Sequence, residues 1–196
     1  MESLDQILRQ SWNLLFRGAV QTRHAYHTPV LASTNGTIAK SRTVVLRKTI
    51  VNERQLWVYT DVRSDKVNDF RQQPQGSFTF WDKGKSIQLR VQASVQIHHE
   101  DEPSREVWRT IAAKNRKDYA TSLPSGTAIS ESGNIFPDRL ALDDLTIEST
   151  NPYFNNFALL VFTVHHIDYL KLSRDGHTRA VFIWDKNQWE QTFLVP

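Results

Sequence analysis

Cysteine is absent from all 196 residues. Its absence excludes disulfide cross-links, thiolate catalysis and cysteine-ligated metals or clusters, and it agrees with a reducing compartment. Long apolar runs are missing as well. No stretch approaches the ~20 residues needed to cross a bilayer, and the amino terminus lacks the basic start and apolar middle of a signal peptide. The expectation is a cytoplasmic protein that does not engage membranes. The formal net charge of +3 is too small for a dedicated nucleic-acid binder, and a basic pocket for a small anion suits it at least as well. Hydrophobic residues at 39% and charged residues at 23% are ordinary for a folded domain, which argues against disorder and against coiled coil. No internal repeat or linker divides the chain, so residues 1–196 read as a single domain with a sizeable core.

What is present is mostly strand. The opening "ESLDQILRQSWNLLFRGAV" places Leu4, Ile7, Leu8, Trp12, Leu15 and Phe16 on one stripe behind Ser3 as N-cap, an amphipathic helix. Strand-like runs follow at "TPVLAST", "SRTVVLRKTIV", "RQLWVYT", "GSFTFW" and "SIQLRVQASVQIH", separated by Asn-Gly, Asn-Glu and Lys-Gly turn signals. A short helix, "SDKVNDFRQQ", interrupts them, capped by Ser64 and stopped before Pro74. Between Ser86 and His98 the alternation is clean. Ile87, Leu89, Val91, Ala93, Val95 and Ile97 share a core face, and Gln88, Arg90, Gln92, Ser94 and Gln96 share the other. A second helix is expected over "PSREVWRTIAAKNRKDYA", then a long loop over residues 121–138 as a candidate lid, then a helix over "DRLALDDLTIES". Three strands close the chain: "FALLVFTVHHIDYLKLS", "TRAVFIWD" and "WEQTFLV". About eight strands with few helices suggest a closed antiparallel barrel with helices packed outside it.

The run "SRTVVLRK" carries an arginine at each end, although a guanidinium gives up water only where something anionic replaces it. Arg42 and Arg47 therefore either snorkel from a rim or meet a ligand. Around them the sequence offers Tyr59 and Thr60 at a strand end, Lys66 in the following helix start, and Gln88 on a polar strand face. Arginine forks, a compact ammonium and free helix N–H groups together suit a phosphate dianion. Arg42 and Arg47 are five apart, so on an unbroken strand they point to opposite faces. Both reach one ligand only if Arg42 lies in the lead-in or the ligand runs along the strand. The pair His165-His166 with Asp168 is a poor metal set, because adjacent strand residues face opposite ways.

The order "SRTVVLRK", "LWVYTDVRSDKVNDF", "SIQLRVQASV" and "DYLKLSRDGHTRAVFIWDKNQWEQTFLVP" resembles the pyridoxamine 5′-phosphate oxidase family, especially its oxidase-related FMN-binding branch. The resemblance runs from about Ala32 to Pro196. It implies a split β-barrel that forms a homodimer with one FMN in each of two interface clefts, and a small-molecule substrate. It puts Arg42 and Lys66 on the FMN phosphate with Tyr59 and Thr60 beside them. The Val44-Val45-Leu46 backbone would lie along the flavin ring edge, with Arg47 near the ring and Gln88 bonding the flavin from either subunit. Tyr169 falls where the oxidases carry tryptophan. Arg179 is implied as a catalytic and flavin-directed arginine and His177 as a substrate-side histidine. A guanidinium near flavin N1 would raise its reduction potential and favour hydride acceptance. Without the resemblance, Arg179 reads as a strand opener paired to Asp175 or Asp185, and His177 as an exposed turn residue.

The chain departs from the oxidase pattern on the substrate side. Asp175 stands where the oxidases carry a substrate-contacting arginine, and a carboxylate there would oppose a phosphorylated substrate. Only Arg116 and Tyr119 offer loose counterparts for the substrate-phosphate set. These departures argue against pyridoxamine or pyridoxine phosphate as the substrate. The leading expectation is an FMN-dependent oxidoreductase acting on another small organic molecule. The alternative is a non-catalytic module holding flavin or a haem-type cofactor. A nucleic-acid platform built from Arg23, Lys40, Arg42, Arg47 and Lys48 is the weakest reading.

Overall fold

The alternation read at residues 87–98 organises the whole molecule. The computed structural model describes residues 2–131, 135–137, 140 and 145–196, and within it these residues form the central strand of one antiparallel sheet. In chain order the elements are α1 (Leu4–Val20), β1 (Val30–Thr34), β2 (Ala39–Thr43), β3 (Leu46–Ile50), β4 (Gln55–Asp61), α2 (Asp65–Gln72), β5 (Gln75–Asp82) and β6 (Ile87–His98). There follow α3 (Glu102–Thr110), α4 (Ala113–Arg116), α5 (Ile147–Thr150), β7 (Phe157–Lys171), β8 (Thr178–Asp185) and β9 (Gln188–Leu194). The strands pair in the order β2-β1-β5-β6-β7-β4-β3, and β8 and β9 extend outward from β7.

The expected closed barrel is not formed by hydrogen bonds. Among the described residues the two ends of the ladder, β2 and β3, each pair on one side only, yet only Val44 and Val45 separate them along the chain. The sheet therefore curls until its edges meet end to end through a covalent link. Val44 leaves the ladder and donates its N–H to the Pro29 carbonyl at 3.0 Å.

The concave face holds the main core. Leu31, Leu56, Val58, Phe78, Phe80, Leu89, Val91, Phe162, Ile167 and Tyr169 are fully or almost fully buried there with Ile7 and Leu15 of α1. Ser3 caps α1 as read from the sequence, accepting from the Gln6 N–H, and Gln6 returns the bond to complete a capping box. A second core lies on the opposite face of β4 and β7, where Trp57, Tyr59, Leu159 and Val161 meet Trp108, Tyr119 and Tyr153.

The helix expected over 103–120 is broken after Thr110. Arg116 folds back so that its guanidinium donates to the carbonyls of Trp108 and Ile111, at 2.6 and 2.8 Å, and stacks over the Trp108 ring. A side chain thus takes over acceptors that a continuing helix would have used. Of the helix expected over 138–149, residues 138, 139 and 141–144 lie outside the described residues; the described part supports only α5.

Gly18 fixes how α1 meets the sheet. A Cβ there would come within 2.8 Å of the Tyr26 backbone carbonyl and of its Cβ, and His27 Nδ1 bonds the Gly18 carbonyl at 2.8 Å. Gly18→Ala should therefore push α1 from the Ala25–His27 turn and cost about 1–3 kcal/mol, as overpacking does. Chemical denaturation should show an earlier midpoint at an unchanged slope.

Candidate functional site

Local hydrogen bonding at the end of β4 builds the first part of the site. The Asp61 carboxylate accepts from the Arg63 backbone N–H at 2.8 Å and from its guanidinium, and the Ser64 N–H closes the turn on the Asp61 carbonyl. The turn returns the chain so that α2 starts beside Thr60. Ser64 occupies the N-cap position as expected, but its side chain makes no cap bond. Its hydroxyl instead donates to the Asp61 carbonyl at 2.7 Å and accepts from Lys66 Nζ at 2.9 Å. Lys66 Nζ is also 2.9 Å from Thr60 Oγ1. The helix N–H groups beyond Ser64 consequently stay free of a side-chain cap.

Arg42 faces the same region from β2. Its Nη1 donates to Ser33 Oγ at 2.7 Å, and its Nη2 lies 3.9 Å from Asp69 Oδ2 of α2. Burial lowers the Lys66 pKa, and the Arg42 charge lowers it further, while Asp61 and Asp65 work in the opposite direction. Lys66 on the Thr60 and Ser64 hydroxyls and Arg42 on the Ser33 hydroxyl are thus two partly buried cations, near enough for the Arg42 charge to act on Lys66. This donor set fits a doubly charged phosphoryl group, whose oxygens would accept from both cations and relieve their repulsion.

Arg47 belongs to a different cluster. The β3–β4 register shifts between Leu46 and Lys48, so Arg47 sits at a bulge, which re-aims its side chain. It lies against the Tyr59 ring at 5.7 Å and lines a cavity of about 300 Å³ with Tyr59, Thr110, Asn115 and Tyr119. Burial raises the Tyr59 and Tyr119 pKa values, and the Arg47 charge opposes both shifts. Tyr59 and Thr60 are neighbours on β4 and face opposite sides. The structure therefore divides the expected set, with Arg42, Thr60 and Lys66 on one side and Arg47 and Tyr59 on the other. The Val44-Val45-Leu46 backbone lies between the two arginines, and the Leu46 side chain is fully buried in the core.

The remaining candidates lie at the far end of the sheet. Gln88, Leu170 and Arg179 are in register across β6, β7 and β8. Tyr59 pairs with Leu159, eleven residues back along β7, which is roughly 35 Å of strand at about 3.3 Å per residue. Arg179 pairs with Asp168, with Nε to Oδ1 at 3.2 Å and Nη2 to Oδ2 at 2.9 Å. Arg90 shares Oδ2 of the same carboxylate with Arg179. The partner is thus a residue across the ladder, and neither Asp175 nor Asp185. Tyr169 does not join this group: its ring is fully buried in the core, its hydroxyl points to Gln10 at 3.4 Å, and burial pushes its pKa up to about 12. His177 is exposed in the β7–β8 turn, where its Nδ1 accepts from the Ser173 N–H at 3.1 Å. Arg116 is unavailable to a ligand because it closes α3, whereas Tyr119 does reach the Arg47 cavity.

In the sequence Ser64 reads only as a cap, and Asp69 has no site role. The signal for Asp69 was its spacing, since Lys66 and Asp69 are three apart and share one side of a helix. No short-range signal pairs Asp168 with Arg90, because they meet only through strand register.

An open antiparallel sheet, curled so that cations and hydroxyls from separate strands gather near its joined edges, defines a mainly antiparallel β protein with flanking helices. Residues 9–99 match the model of the family described as pyridoxamine 5′-phosphate oxidase, FMN-binding domain, which places that segment in the family whose motifs the sequence resembles. The matched stretch includes Arg42, Arg47, Tyr59, Thr60, Lys66 and Gln88, and stops before the C-terminal motif. No curated protein matches the chain. Among solved structures, a pyridoxamine 5′-phosphate oxidase-related, FMN-binding protein from Nostoc punctiforme superposes with a TM-score of 0.74 at 20% identity, covering 96% of this chain and 97% of that one. PhzG from Burkholderia lata, solved with tetrahydrophenazine-1-carboxylic acid, gives 0.69 at 17% identity, covering 100% and 94%. At these identities the likeness is one of fold. Among the described residues, no helix is long and apolar enough to cross a membrane.

The Asp168 cluster makes a prediction of its own. Burial would raise the Asp168 pKa, but hydrogen bonds from Arg179 and Arg90 outweigh it and hold the carboxyl below its usual range. A depressed carboxyl contributes stability that is complete above the unfolded value near 4 and is lost as pH falls through the folded value. Asp168→Asn should therefore lower the thermal midpoint by a few degrees at pH 7, and its difference from the parent should shrink as the pH falls below about 4.

Proposed function

We propose that this chain is a cytoplasmic FMN-binding flavoprotein that works as a homodimer and as an oxidoreductase on a small organic substrate other than a pyridoxine phosphate. The observation that carries the reading is Lys66 held on the Thr60 and Ser64 hydroxyls with the Arg42 guanidinium near enough for its charge to act on it, inside the segment that matches the FMN-binding family. In this reading Arg42 and Lys66 neutralise the FMN phosphate, while the Thr60 and Ser64 hydroxyls orient it. A ligand that starts there and continues toward Arg47 and Tyr59 has to follow the Val44-Val45-Leu46 backbone past the sheet edge.

The long separation along β7 between Tyr59 and Arg179 supports a homodimer. One chain alone cannot bring Gln88 and Arg179 to a ring lying beside Arg47, whereas a second copy can present them from its own sheet face. When bound, FMN would supply hydride or electron transfer. Arg179 then acts as a positive group held in one orientation by Asp168, and His177 stands at the solvent side. The cavity beside Arg47, lined by tyrosine hydroxyls and Asn115, offers space for the substrate. The commitment of Arg116 to the Trp108 and Ile111 carbonyls supports a substrate without a phosphate.

Freshly purified protein should be yellow and release on heating a compound with the absorbance of FMN. A colourless protein, or a released cofactor with a haem spectrum, would overturn the assignment. A bound flavin that no donor bleaches would favour a non-catalytic module. Arg42→Ala should weaken FMN binding on the order of 10- to 100-fold, the loss of one charge-assisted bond, as read by flavin fluorescence titration. Because burial and the Arg42 charge depress Lys66, FMN affinity should start to fall at a pH below the usual lysine range near 10.4.

A further inference from the structure

Asp69 is a carboxylate 3% exposed on the inner side of α2, and no step of the proposed chemistry uses it. Its Oδ2 accepts the Ser33 hydroxyl at 2.7 Å, and its Oδ1 accepts Lys40 Nζ at 3.1 Å. Ser33 Oγ, in turn, accepts from Arg42 Nη1 at 2.7 Å. The three groups form a directed relay in which Arg42 donates to Ser33 and Ser33 donates to Asp69. Arg42 Nη2 is 3.9 Å from the carboxylate, too far for a hydrogen bond. Among the described residues, Arg42 Nε and Nη2 donate to no protein acceptor. The relay therefore grips one edge of the guanidinium and leaves the other available.

A buried carboxylate needs its lone pairs filled, and Ser33 and Lys40 fill them. Burial would raise its pKa, yet the bonds from Ser33 and Lys40 and the nearby Arg42 charge keep it low. It remains a fixed anion behind Arg42. If Asp69 were a competitor for Arg42, a direct bidentate pair would be expected. An intervening serine gives another result, which is that the cation is oriented without being quenched.

We propose that Asp69, acting through Ser33, is a positioning residue that aims Arg42 at the cofactor phosphate and thereby sets the preference for a phosphorylated flavin over its dephosphorylated form. The proposal rests on the phosphate reading given above. It accounts for a buried acid beside a site meant for an anion, an arrangement that would otherwise oppose binding.

The test compares FMN with riboflavin, which lacks the phosphate, by fluorescence titration of the full chain. Asp69→Asn and Ser33→Ala should each weaken FMN binding about tenfold and leave riboflavin binding unchanged. Ser33→Thr keeps the hydroxyl and should retain parental affinity. In an Arg42→Ala background, Asp69→Asn should add no further loss, because the group it aims is gone. Tighter or unchanged FMN binding in both single variants would overturn the proposal, as would equal weakening of FMN and riboflavin. Should Asp69→Asn fail to fold, the serine pair decides the matter alone. A parent that binds riboflavin as tightly as FMN would overturn the phosphate reading itself, before any variant is compared.

Discussion

The constraint on which the structure depends is covalent. Two strands that lie at opposite ends of one hydrogen-bonded ladder are separated along the chain by only Val44 and Val45. A flat sheet would set them many strand spacings apart, at about 4.8 Å for each pair. The sheet must therefore curl, and its curl encloses the aromatic core of Phe78, Phe80 and Phe162. The same joint brings Arg42, at the end of β2, close to the β4–α2 turn. The site is thus a consequence of how the sheet meets itself.

Electrostatics then determine what such a joint can hold. Arg42 and Lys66 are both partly desolvated, and the Arg42 charge further depresses Lys66, which is unfavourable unless an anion shares the space. Two of the acids nearby have other duties: Asp61 shapes the turn through Arg63, and Asp69 is turned toward Ser33 and Lys40. At the other end of the sheet the balance is reversed. There one buried carboxylate, Asp168, serves two arginines, so the cluster is close to self-satisfied and keeps one net positive charge. In the proposed reading the first cluster meets the doubly charged phosphate, and the second lies beside the flavin ring.

Much of this was legible in the residues. Strict alternation over Ile87–Ile97 identified core and outer faces because a pleat repeats every two residues. Ser3 was legible as a cap because capping is local. The break after Thr110 was not legible, since it depends on an arginine side chain reaching back to two carbonyls. On an unbroken strand Arg42 and Arg47 would point to opposite faces. The chain instead leaves the ladder at Val44-Val45 and bulges at Arg47, and the two arginines still serve opposite sides of β4. Motif position puts Tyr169 at a flavin, while the pleat turns it into the core, because Asp168 before it faces outward.

By itself, the sequence determined the class of elements, the core faces and the inventory of cations, hydroxyls and aromatic rings that could meet a phosphorylated ring system. These follow from periodicity and side-chain chemistry, which act over a few residues. Only the tertiary structure decided which of those groups meet. It brought the Arg42 charge near Lys66, separated both from Arg47, gave Arg179 to Asp168 and left the sheet open as a ladder. Such pairings depend on strand register and on the path of the chain between distant segments, and neither is written in any local stretch of residues.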